Sequence, residues 1–301
     1  MIPTAAALAA LAVLLAWPVP VILAGARWTR RSPAIALILW QSVALAGGLA
    51  MIGSLLLFGL SPYGDDLIAA LRFMEDSTGS PGHWLALAAA ILLTAHLLAN
   101  LVATFVRAEH QRRRHAHLVS LLSEPIGSGT RLIDSPTPIA YCLPGPLSSV
   151  TVLSAGLVSL LDEQQLTAVI EHEKAHVAQR HDVVLIAFRA WFAALPWFPI
   201  AYRAQREVGL LVEMLADDRA RKTVDDDVLA AAITNVGAGA DAAASVWAEP
   251  GTPDTLHARV ARLAERPLST AREALLVGAA LALLGVPTAI ILVPAILGLA
   301  A

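Results

Sequence analysis

Five consecutive residues, His172-Glu173-Lys174-Ala175-His176, have the types and spacing for hydrolysis at a metal ion. Four residues of α-helix turn a side chain through about 400°, so His172 and His176 share a face one turn apart. Two imidazoles so placed suit a single zinc ion. Glu173, one residue on, is turned toward the water in the open coordination position. It can take that water's proton and deliver it to a leaving amine. A zinc that does chemistry needs a third protein ligand. The acidic candidates downstream are Glu207, Glu213, Asp217 and Asp218, on a predicted helix from about Tyr202 to Lys222. Glu213 and Asp217 are again four apart. One of them can bind metal while the other orients a ligand histidine, and periodicity alone leaves the choice open.

These side chains need elements to hold them. Asp162 reads as an N-cap with Gln165 completing a capping box, and the helix it opens runs to about Gln179 with Leu166, Val169 and Ile170 on its apolar side. Leu210, Leu211, Met214 and Leu215 can seat the acidic helix on it. Upstream, Thr130–Ile133, Pro138–Leu143 and Ser149–Leu153 are predicted strands punctuated by prolines and glycine. A short helical turn, Ala155–Leu160, follows them. Val150–Leu153 or Ile139–Leu143 can offer a sheet edge to an extended peptide.

Composition places this chemistry beside a bilayer. The chain has 301 residues, 57% of them hydrophobic and 15% charged, with a mean hydropathy of +0.65. A soluble chain carries about 25% charged residues. This composition excludes a disordered protein and a basic nucleic-acid-binding domain, and the net charge of −3 names no partner. The single cysteine, Cys142, excludes an internal disulfide and reads as a small buried hydrophobe.

Four uncharged runs have spanning length, giving transmembrane helices at about 4–25, 34–60, 84–106 and 274–301. The first run has no basic residue before it and Arg27, Arg30 and Arg31 after it, which favours a retained helix over a cleaved signal. Arg107 and Arg112 to Arg114 follow the third run, and Asp65, Asp66, Glu75 and Asp76 outnumber Arg72 in the loop before it. Basic flanks stay cytoplasmic. Both termini are therefore expected outside the cell membrane, with residues 107–273 cytoplasmic and no domain after the last helix. The expected fold class is a mainly α membrane protein: four transmembrane helices plus a cytoplasmic α+β, gluzincin-like zinc peptidase domain.

A fifth apolar stretch, 183–202, cannot cross the bilayer once, because Glu213 would then lie opposite His172 and His176. It is expected to turn back near Pro196 and Pro199, as a partly inserted hairpin or as a core helix of the domain. His96, Asn100 and Thr104 form a polar stripe in the third span, read chiefly as a packing seam. His110, His115 and His117 read as solvated. His181 is a reserve ligand set off the metal-facing side, and His257 lies on a later helix that can reach the site. Asp225–Asp227 are expected to cap the helix Val228–Val236, and residues 237–251 to form a loop.

The chain resembles the M56 family of membrane metallopeptidases, the antirepressor peptidases of the BlaR1/MecR1 type. The resemblance rests on HExxH followed by Glu213-Met214-Leu215-Ala216-Asp217, on Ala140-Tyr141-Cys142-Leu143-Pro144-Gly145, on Val152-Leu153-Ser154-Ala155-Gly156-Leu157 and on Arg180-His181, together with the membrane plan. It implies one Zn2+ per chain held by His172, His176 and Glu213, with Glu173 as the base and Asp217 in support. The implied substrate is a protein, a BlaI/MecI-type transcriptional repressor, with no direct contact to nucleic acid. The best-known members carry a penicillin-binding sensor domain after the last helix, which this sequence does not show. An M48-like processing or quality-control peptidase is the alternative, and a non-enzymatic receptor or scaffold a third reading. Composition and spacing give no oligomeric state.

Overall fold

The structure, a computed structural model, describes residues 1–64, 70, 79–127, 129–144, 149–196, 199–240 and 253–300. The acidic residues 65, 66, 75 and 76, Arg72, and most of the 237–251 loop lie outside these.

Four helical stretches are long and apolar enough to cross a membrane: Ile2–Gly25, Pro33–Leu60, Pro81–Leu122 and Thr270–Val293. The chain is mostly helical with one small mixed sheet, the architecture of a multi-pass membrane protein carrying a peptidase domain. The first span is broken into α1 (Ile2–Ala16) and α2 (Pro18–Gly25) at Trp17. Pro18 disfavours helical geometry in the residue before it. A one-turn α3 (Trp28–Arg31) links it to α4 (Pro33–Leu60). Small residues on α4 let its neighbours approach. A Cβ on Gly53 would lie 2.7 Å from the Ile291 side-chain end and 3.2 Å from that of Leu8, so glycine here lets side chains of the first and last spans pack close on α4.

The next helix, α5 (Pro81–Leu122), is capped by Ser80 and runs for 42 residues. At 1.5 Å per residue it is about 63 Å long, twice a bilayer's hydrocarbon core. The expected span at 84–106 is thus the first part of one rod, which continues through the basic segment and delivers the chain to the sheet. That sheet holds β1 (Ser123–Gly127), β2 (Thr130–Ile133), β3 (Ala140–Pro144) and β4 (Ser149–Ser154) in the order β1-β2-β4-β3. β1 pairs antiparallel with β2, β2 parallel with β4, and β3 antiparallel with β4. Sequence reading missed β1, whose Glu124, Pro125 and Gly127 carry no strand signal; Pro suits an edge strand. β4 lies inside the sheet, so of the two candidate docking edges Val150–Leu153 is already paired on both sides. The β3 segment stands at an edge.

The remaining helices are α6 (Ala155–Leu160), α7 (Glu163–Ala178), α8 (His181–Ala194), α9 (Pro199–Ala220), α10 (Asp226–Ala240), α11 (Pro253–Leu263) and α12 (Thr270–Ala300). Leu153, Leu157 and Leu161 form a core with Leu166, Val169 and Ile170, fixing α7 to the sheet. Ala168, Ala220, Leu229, Ile233 and Leu263 join α7 to α9, α10 and α11. Leu37 and Trp40 of α4 share a third core with Phe188 of α8 and with Val208, Leu211 and Val212 of α9. The acidic helix is therefore packed directly on the second span.

The apolar stretch at 183–202 does turn back: α8 ends at Ala194 and α9 starts at Pro199. A Cβ on Gly48 would meet the Trp191 ring at 3.0 Å. Gly48 is fifteen residues, about 22 Å, into α4, so α8 reaches alongside the middle of that span. Its terminal carbonyl, on Ala194, lies 3.0 Å from His96 Nε2. An imidazole N–H donated there satisfies one of the orphan carbonyls of a helix end. Of the polar stripe on α5, His96 meets α8, while Asn100 and Thr104 make their hydrogen bonds within α5.

Candidate metal centre

Local sequence explains how α7 presents its histidines. Asp162 Oδ1 accepts from Gln165 N at 2.8 Å, the expected cap. The Gln165 side chain, instead of closing the box, accepts from Asn235 on α10 at 3.3 Å. At the other end Arg180 adopts left-handed geometry (φ 51°), which ends α7 and starts α8 one residue later. That turn swings His181 back toward His176. The ring Nδ1 atoms of the two residues lie 3.0 Å apart, and His181 Nε2 is 2.7 Å from Gln179 Oε1. One proton assignment satisfies the chain: His176 Nδ1–H donates to His181, and His181 Nε2–H donates to Gln179. His176 Nε2 is then left with a free lone pair.

Nε2 of His172 and Nε2 of His176 are 3.2 Å apart. Glu213 brings Oε2 to 3.3 Å from the first and Oε1 to 3.6 Å from the second. Zinc bonds of about 2.0–2.1 Å give a tetrahedron with edges of about 3.3–3.4 Å. These three donors therefore fit three corners of such a site. They form the one His/His/carboxylate group of this kind among the described residues.

Asp217 takes the other position, 2.9 Å from His172 Nδ1 and 1% exposed. It accepts that N–H and turns the Nε2 lone pair toward Glu213. Glu207 and Asp218, the other acidic candidates, stand outside the group. Sequence reading missed Arg259, on α11. Its Nε and Nη2 donate to Asp217 at 2.8 and 2.6 Å, and its Nη1 lies 3.2 Å from Glu213 Oε2. His257, two residues earlier, is exposed. The only signal for Arg259 is a basic residue on a short amphipathic helix, and nothing in its spacing ties it to residue 217.

The electrostatics follow from burial and pairing. Burial pushes Glu173 up to about 7, the Glu213 carboxylate adds to this, and His172 and Arg259 oppose it. A carboxyl so placed both takes and gives protons near neutrality. Burial also pushes His176 down to about 4, keeping it neutral. On His172 burial is overcome by the hydrogen bonds the ring donates to Asp217 and Glu213, and without an ion the ring is pushed up to about 10. Glu213 is held well below the carboxylate range, its burial outweighed by His172 and Arg259. Burial raises the Cys142 thiol, which is half-buried on β3 with its sulfur 3.2 Å from Thr151 Oγ1 on β4.

Comparison with known proteins agrees with this centre. Residues 109–206 match the family model of Peptidase family M48. The match covers about a third of the chain: the outer part of α5, the sheet, α7 with both histidines, α8 and the start of α9. It supports a membrane-associated zinc metallopeptidase and stops short of Glu213, Asp217 and Arg259. No curated protein and no solved structure matches the chain.

Proposed function

We propose that this chain is a membrane-embedded zinc endopeptidase of the M48-like processing or quality-control kind, acting on polypeptide segments close to the membrane surface. The observation that carries the reading is the set of three donors, His172, His176 and Glu213, at tetrahedral spacing, with Glu213 on a helix cored against the second span. A single zinc ion held there would polarise the scissile carbonyl and acidify the attacking water. Asp217 and His181 fix the rings that hold it. Glu173 takes a proton from water and returns it to the leaving amine. The edge of β3 lies beside α7, with Cys142 close enough to Glu173 to feel its charge. An extended substrate adding to this edge would bring its backbone to Glu173.

The match to family M48 supports this reading over the antirepressor one. A BlaI/MecI-type repressor remains a second candidate substrate because of the resemblance between residues 139 and 218. The arginines that follow the first and third spans support a cytoplasmic position for the peptidase domain.

The test is metal analysis with a Glu173→Ala comparison in the purified full chain. About one zinc per chain is expected in both, with cleavage only in wild type. Equal cleavage by the two would overturn the mechanism. Glu213→Ala should lose the zinc and Asp217→Ala should keep it at reduced affinity. Proteins trapped by Glu173→Ala and identified by mass spectrometry then separate membrane proteins from a DNA-binding repressor.

A further inference from the structure

Arg262 is a buried arginine one turn beyond Arg259 on α11, and its contacts do not belong to the metal centre. Nη1 donates to the Met214 carbonyl at 3.2 Å and Nη2 to Asp218 Oδ2 at 2.7 Å. These acceptors follow Glu213 and Asp217 by one residue each. The third donor, Nε, reaches the Arg30 carbonyl at 2.6 Å. Arg30 lies in α3, the one-turn linker between the first and second spans. One guanidinium therefore joins the acidic helix to a membrane linker, and its rigid planar fork spreads donors from three nitrogens toward three separate acceptors, whereas an ammonium's three donors all start from one nitrogen.

The linker is itself tied down. Arg31 Nε donates to the Arg266 carbonyl at 2.9 Å, and Ser32 Oγ to Glu273 on α12 at 2.6 Å. Thr29 is buried, with its hydroxyl donating to the Ala26 carbonyl at 2.6 Å. A cavity of about 210 Å³ lies beside Arg262, lined in part by Arg31, Ser32, Asp218, Glu265 and Glu273.

We propose that Arg262 is a positioning residue that transmits the packing of the first two spans, through the Arg30 carbonyl, to the metal-binding face of α9. Resting on the zinc-peptidase reading, it makes the metal site responsive to events within the membrane, such as a transmembrane substrate or a change of lipid. α11 holds both ends of the path: Arg259 on the carboxylates of Glu213 and Asp217, and Arg262 on the backbone between them and on the linker.

The experiment measures zinc affinity by chelator competition, with the visible spectrum of the cobalt-loaded protein, on the full chain in lipid nanodiscs. Removing support behind a ligand typically costs about 10–100-fold in affinity, and Arg262→Gln is expected at the lower end, about 10-fold, with an altered cobalt spectrum. Arg262→Lys keeps the charge and the Asp218 pair but should not restore affinity. Thr29→Val changes only the linker and should weaken zinc about 3-fold, the double variant being no weaker than Arg262→Gln, as for residues on one path. Zinc affinity and spectrum unchanged in Arg262→Gln, or additive effects in the double variant, would overturn the proposal while leaving the peptidase reading intact. Should Arg262→Gln fail to fold, an unchanged affinity in Thr29→Val overturns it alone. A wild-type chain that binds no zinc removes the peptidase reading, and this inference with it.

Discussion

Arg259 holds Asp217 in a two-point grip, with N···O distances of 2.8 and 2.6 Å, while the same carboxylate accepts from His172. A guanidinium two helices away in sequence thereby sets the orientation of a metal-facing ring. Asp217 is 1% exposed, and a buried carboxylate without its partner is costly.

Arg259→Ala should therefore do two things. Removing one member of a buried pair costs about 3–5 kcal/mol, visible as a lowered thermal midpoint in detergent. Zinc affinity should fall by about 10–100-fold as His172 loses its orientation. Arg259→Lys keeps the charge and loses the fork, so it should recover more stability than affinity. Parallel thermal scans and chelator competition check the split.

Zinc binding should depend on pH through His172. The hydrogen bonds it donates to Asp217 and Glu213 overcome its burial and push the ion-free ring up to about 10. A cation must displace that proton. Affinity should rise about tenfold per pH unit between roughly pH 7 and 9, and titration calorimetry in buffers of different ionisation enthalpy should show one proton released. The sign for stability is opposite. The ion-free fold gains from this proton fully below the ring's ordinary value of 6.5 and loses the gain as pH rises through about 10. Asp217→Asn removes the main support for the proton and should flatten both dependences.

His96→Leu tests the contact between α5 and the end of α8. It leaves the Ala194 carbonyl without its imidazole partner. Hydrogen bonds between membrane helices are worth about 0.6 kcal/mol on average and up to about 1.7. A loss within that range is expected in reversible unfolding in mixed micelles, with zinc content unchanged.

Gly156→Ala tests the β3 edge. An added Cβ would meet the Pro136 carbonyl, and Gly156 N donates to the Ser135 carbonyl at 2.9 Å. Ser154 meanwhile caps α6 through Leu157 N and ties residues 137 and 139 to β4. Displacing this loop should shift β3 and raise KM more than it lowers kcat. Steady-state kinetics on a peptide substrate, beside zinc content equal to wild type, distinguish this from damage to the metal centre.

Much of this was readable from residue order. HExxH, the Asp162 cap and the Glu213–Asp217 spacing are local patterns, and helix geometry converts them into faces. The spans are equally local, since hydropathy alone marks them. Arg259 and Arg262 were hidden because their partners are 42 to 48 residues or more away and an arginine every third position resembles any solvated helix. His181 stands outside the ligand group, and its contact with His176 was hidden. Counting five residues from His176 assumes one continuous helix, and the left-handed Arg180 breaks it. β1 was hidden because an edge strand needs no apolar alternation.

The packing of α9 also bears on how the enzyme can be handled. Val208, Leu211 and Val212 share a core with Leu37 and Trp40 of the second span, and they lie one to five residues before Glu213 on the same helix. A fragment cut at the expected boundaries, 107 and 273, would bare that seam to water and free the ligand helix to tilt. Excision should yield an insoluble or metal-deficient protein, and the smallest active unit should include the first two spans.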